Sequence, residues 1–74
     1  MKRLGVGDRW MAGEAVPGVA FGMRQRVEVV DGARAGARGV VLLLVDVTAE
    51  PVYLVDLETG AVVRLPQSML RPVT

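Results

Sequence analysis

One stretch limits what this chain of 74 residues can fold into: Val27 to Val47, which reads VEVVDGARAGARGVVLLLVDV. Arg26, Val27, Glu28 and Val29 alternate polar and apolar, the period of a half-buried strand. Gly32, Gly36 and Gly39 punctuate the loop that follows, where glycine supplies positive φ angles. An apolar run from Val40 to Val47, broken only by Asp46, forms a second strand. Aliphatic residues and glycines do no chemistry, so this stretch specifies architecture rather than activity.

The remainder continues in short strands. Glu50-Pro51 marks a turn, because proline cannot continue a central strand. Val52 to Leu57 is the third strand, Glu58-Thr59-Gly60 a hairpin turn, and Ala61 to Leu65 the fourth strand. Pro66 to Leu70 suits a single 3₁₀ turn before a last strand at Arg71 to Val73, and no helix of any length is expected. The chain therefore reads as all-β: a small five-stranded SH3-like barrel over residues 21–74, with a 3₁₀ turn before the last strand. Residues 1–20 contain Gly5, Gly7, Gly13, Gly18 and Pro17 without a clean period, and are expected to form a flexible tail. Leu4, Val6, Trp10 and Met11 offer the alternative of a short helix or a docked tail. Trp10 is the residue that would pin it, since a lone tryptophan calls for a partner surface.

So short a chain gains little from a single core and usually needs a staple or an oligomer. Cysteine is absent, which excludes disulfides, and without histidine zinc has no favoured ligand. Self-association is the remaining route, and a hydrophobic content of 51% with a mean hydropathy of +0.38 favours it. In a regular strand Val41, Leu43, Val45 and Val47 share one face, and Val40, Leu42, Leu44 and Asp46 the other. A small barrel buries one of these faces. The second, Val40, Leu42 and Leu44 with Leu54 of the next strand, is expected to be an oligomer interface. The tail is the alternative cover.

Function classes narrow by exclusion. A net charge of +1 argues against a dedicated nucleic-acid binder, whose affinity comes from neutralising phosphates. No apolar run reaches membrane-spanning length, and MKRLGVGDRW lacks the apolar core of a secretory leader, so a cytoplasmic location is expected. There is no histidine for base catalysis and no cysteine nucleophile, and the one serine, Ser68, sits in a turn. Asp31, Asp46, Glu50, Asp56 and Glu58 read as solvated charges. The glycines make no phosphate loop, because no helix follows them. No catalytic residue, metal or cofactor is assigned.

Two families resemble parts of the chain. Val27, Val29, Gly32, Gly36, Gly39 and Val41 are similar to the V-x-V-x-x-G-x-x-x-G-x-x-G-x-V pattern of the KOW motif of transcription and ribosomal proteins. That resemblance implies binding to RNA, the ribosome or RNA polymerase, with Arg34 and Arg38 as phosphate contacts. A longer span resembles type II dihydrofolate reductase, the small trimethoprim-insensitive enzyme. Val16-Pro17, Ala20-Phe21-Gly22-Met23 and Arg26-Val27 look like the segment that opens its barrel, and Gly39, Tyr53, Val55, Gly60, Val62, Pro66 and Leu70 also match. This resemblance implies a homotetramer around a pore that binds NADPH and folate. The family lines its pore with a Val-Gln-Ile-Tyr run, for which this chain has Val62-Val63-Arg64-Leu65, so only the valine is kept. The family's lysine on the first strand is replaced by Val29. Arg64 is then the candidate for a ring of positive charge and an anion site. The reading favoured by the residues is a non-catalytic barrel that acts as a homo-oligomeric binding or assembly module, a dimer or a tetramer. A pore-forming NADPH-binding relative of the reductase and a KOW-like RNA-binding or ribosome-binding protein are the alternatives.

Overall fold

The computed structural model describes residues 5–73. A short helix, α1 (Val6–Met11), precedes β1 (Arg26–Val29), β2 (Arg38–Asp46), β3 (Val52–Leu57) and β4 (Val62–Pro66). A 3₁₀ turn at Gln67–Met69 leads into β5 (Leu70–Pro72). All five strands are antiparallel in one sheet of order β4-β3-β2-β1-β5, so β4 and β5 are its edges. The chain is all-β as expected, and the 3₁₀ turn lies where proline and the serine-containing segment placed it.

One face of this sheet is dry. Val27, Val29, Val41, Tyr53 and Val55 are fully buried, and Leu44, Leu57, Leu65 and Leu70 complete the inner layer. A single sheet that buries its inner face so thoroughly curls around its own core, an arrangement compatible with an SH3-like barrel. Burying one such aliphatic side chain contributes about 1.5–3 kcal/mol.

The β1–β2 connection shows why glycine is needed there. Gly32 and Gly36 hold φ of 82° and 93°, conformations that a side chain disfavours. Gly39 is different: it lies between β1 and β3, opposite Val27 and Leu57. A Cβ built on it would meet the Asp56 carbonyl oxygen at 2.4 Å. All three glycines of the KOW-like spacing thus have a backbone reason to be glycine.

Residues 5–20 differ from the expected tail. Residues 6–11 form a helix, in which the Asp8 carboxylate accepts a hydrogen bond from the Gly5 N–H at 3.3 Å. Six residues are too few to be helical by propensity alone. Packing supplies the reason: Trp10 is buried at 3% exposure and its Nε1–H donates to the Phe21 carbonyl at 2.8 Å. The Phe21 ring in turn meets Tyr53 edge-on, with centroids 5.4 Å apart. Gln67 fastens the segment that follows. Its Oε1 accepts from the Tyr53 hydroxyl (2.6 Å) and the Ala20 N–H (2.8 Å), while its Nε2 donates to the Gly18 carbonyl (3.1 Å). Leu4, named with Trp10 as an anchor, lies outside the described residues.

Two outcomes test this architecture. Gly39→Ala forces a methyl group against backbone, so a loss of about 1–3 kcal/mol is expected in chemical denaturation, where a neutral result would refute the close approach. Gln67→Ala deprives the buried Tyr53 hydroxyl of its acceptor and should cost about 1–3 kcal/mol. It should also red-shift the emission of Trp10, the sole tryptophan, at temperatures where circular dichroism still reports an intact sheet.

Candidate functional site: the outer face of the sheet

The outer face is set by an irregularity in β2. Register with β3 runs Val41↔Val55, then Leu43↔Leu54 and Leu44↔Tyr53, then Asp46↔Val52. One extra residue of β2 is accommodated at each of two bulges, Val41/Leu43 and Leu44/Asp46. Each bulge breaks the strict alternation of faces. Leu44 consequently turns inward with Tyr53 and is only 8% exposed, so it belongs to the core and not to the expected interface. Leu43 takes the outward position instead. Leu42 and Leu43 are both exposed, at 39% and 37%.

With that correction, the other expected interface residues hold their side of the sheet. Val40 and Leu54 are half-buried and outward, and Val62 of β4 joins them at 52% exposure. Val40, Leu42, Leu43, Leu54 and Val62 share the outer side of β2, β3 and β4, where Leu43 is opposite Leu54 and the exposed Asp56 stands between Val40 and Val62. The N-terminal segment packs against β2 and still leaves Leu42 and Leu43 open.

Charge frames this surface. Arg64 is opposite Leu54 and Asp56 is opposite Val62, and both are exposed. Arg26 is opposite Val40 on the β1 side. Beside Arg26, Arg38, Asp56 and Glu58 contribute to an open cleft of about 360 Å³ in which the two signs are mixed.

The two arginines tied to the KOW-like pattern occupy different settings. Arg34 is exposed in the β1–β2 loop. Arg38 opens β2, with its Nε 3.3 Å from Glu28. Glu28 also receives Arg71, whose Nη2 donates to both carboxylate oxygens at 3.1 and 3.2 Å. The hydrogen bond from Arg71 is the main reason that the Glu28 carboxyl is held below the usual glutamate range, and Arg38 adds to it. Burial has the opposite effect on Tyr53, whose phenol is pushed up.

Little on this face resembles catalytic machinery. The Ser68 hydroxyl and N–H donate to the two oxygens of Glu50, at 3.3 and 3.1 Å, in an exposed link between the 3₁₀ turn and the β2–β3 turn. Among the described residues, no three acidic side chains converge in a way that would hold a metal ion. Leu43, Asp56 and Val62 are the members of the outer face that sequence reasoning missed. Leu43 was hidden by the bulge, and Asp56 looked like every other solvated carboxylate. No protein-family model matches the chain, and no curated protein does.

The Glu28 arrangement has a pH signature. A carboxyl with a depressed folded-state pKa contributes stability that is complete above its ordinary value of 4.5 and is lost as pH falls through the lowered value. Thermal melts of Glu28→Gln should therefore fall less steeply than the native protein below pH 4.5. Equal acid slopes would show that the two arginines do not hold the carboxylate.

Proposed function

We propose that this chain is a non-catalytic binding and assembly module that self-associates through the outer face of β2, β3 and β4. The observation that carries this reading is the cluster of outward apolar residues, Val40, Leu42, Leu43, Leu54 and Val62, on so small a domain. Contiguous exposed apolar patches mark interaction sites. Domains of this size without disulfides or metals commonly gain stability from oligomerisation.

The side chains of β4 support an assembly role over a reductase-like one. Val63 packs on the core and Leu65 is buried, so Arg64 is the residue of the Val62-Val63-Arg64-Leu65 run that is most open to a charged ligand. An RNA-binding role draws less support still, since both Arg38 and Arg71 spend their charge on Glu28.

Light scattering over a dilution series tests the reading. The native chain should be a dimer or larger, and Leu42→Glu or Leu43→Glu should yield folded monomers, because a buried unpaired carboxylate opposes association. A native chain that is monomeric at every concentration would sink the proposal. An assembly that binds NADPH would instead bring forward the reductase-like alternative.

A further inference from the structure

The outer face carries a pattern that specifies how two copies meet. Across β3 and β4, Leu54 is opposite Arg64 and Asp56 is opposite Val62. These four outward residues form the corners of a rectangle, about 5 Å across the strands and about 7 Å along them, with Asp56 and Arg64 on one diagonal and Leu54 and Val62 on the other. Such diagonal neighbours lie about 7–8 Å apart, within reach of an arginine. Neither Asp56 nor Arg64 appears among the ion pairs or side-chain hydrogen bonds of the described residues, a condition they share with Glu58, Arg24, Arg26 and Arg34, but of these only Asp56 and Arg64 stand diagonally across paired strands on the outer face.

We infer that the occupant of this face is a second copy of the chain, packed face to face about a two-fold axis along the Leu54–Val62 diagonal. This rests on the reading of the outer face as a self-association surface. The two-fold operation carries each end of the other diagonal to within about 3 Å of the opposite end, a gap the arginine side chain spans. Arg64 of each copy then meets Asp56 of the other, giving two reciprocal ion pairs. Leu54 packs on its own equivalent and so does Val62, while Leu43 is carried towards Val52 of the other copy. An isologous interface requires a patch complementary to itself, and opposite charges on one diagonal with apolar groups on the other satisfy that condition. An unrelated partner would not need the two charges to be exchanged by the same axis that superposes the apolar pair. Pairing Arg64 with Asp56 also neutralises it, so in this arrangement Arg64 sets register and does not collect anions.

Charge exchange tests the arrangement. Asp56→Arg places two arginines on each copy and Arg64→Asp places two aspartates, so each variant alone should associate about a hundredfold or more weakly than the native chain. An equimolar mixture of the two variants should recover a complex containing one of each, because both cross-contacts become opposite in sign. The double variant Asp56→Arg/Arg64→Asp should recover the homo-oligomer. Both positions are exposed on strands, and circular dichroism checks that each variant is folded. Asp56→Asn and Arg64→Gln, milder changes, should each weaken association without reversing charge. If the native chain associates but the mixture and the double variant do not recover it, this register is wrong while the self-association reading stands. If Leu42→Glu leaves a native oligomer intact, the outer face itself is the wrong surface and both readings fall.

Discussion

The structure depends on fitting a long central strand to a short neighbour. Eight residues of β2, Gly39 to Asp46, pair along the six of β3, Val52 to Leu57, and two bulges absorb the difference. Bulges bend a strand and increase its twist. Both effects help one sheet to wrap an interior that would otherwise need a second layer. The same bulges decide chemistry at the surface, because they send Leu44 inward and leave Leu42 and Leu43 together outside. Gly39 allows the fit at the other end of the strand, where the β3 backbone comes too close for any side chain.

Much of this was legible in the sequence, for reasons specific to each element. Val52–Leu57 is a short apolar run bounded by two clear turns, and its predicted and observed bounds coincide. The 3₁₀ turn was signalled by proline and a short polar segment. The orientation of Leu43 and Leu44 was not legible, because in an unbroken aliphatic run a bulge changes no residue type. The order in residues 5–20 was hidden for another reason. Its glycines argue for a tail, and its helix exists only because Trp10 finds the core and Phe21. The composition around Trp10 contained the residue but not its destination. Asp56 shows the same limit for the candidate site: only the strand register reveals that it shares a diagonal with Arg64.

Gln67 links these levels. It is half-buried in the 3₁₀ turn, yet its amide joins β3 through Tyr53 and the N-terminal segment through Gly18 and Ala20. A side-chain amide can serve as donor and acceptor at once, and here both capacities are used on contacts distant in sequence. The N-terminal segment is thus held by one tryptophan on one side and one glutamine on the other. Neither contact uses the outer face, where Leu42 and Leu43 remain exposed.

Both edge strands end in proline, and the pairing pattern gives this a meaning beyond turn formation. Gln67 N–H bonds to the Pro51 carbonyl and Val73 N–H to the Arg26 carbonyl, so the alternate residues Pro66 and Pro72 point their backbone away from the sheet. At the C-terminal end of each edge strand, where an outward N–H would greet an incoming strand, the proline has none to offer, whereas the same alternation leaves the Val62 and Arg64 amides of β4 facing outward. On β5 the remaining outward amide, that of Leu70, is already donated to the Gln67 carbonyl. A highly aliphatic chain with two sheet edges is a natural seed for runaway strand stacking, and this one is guarded along β5 and at one end of β4. A strand added to this sheet would therefore meet obstruction along β5, and would find its free donors only on β4, at Val62 and Arg64.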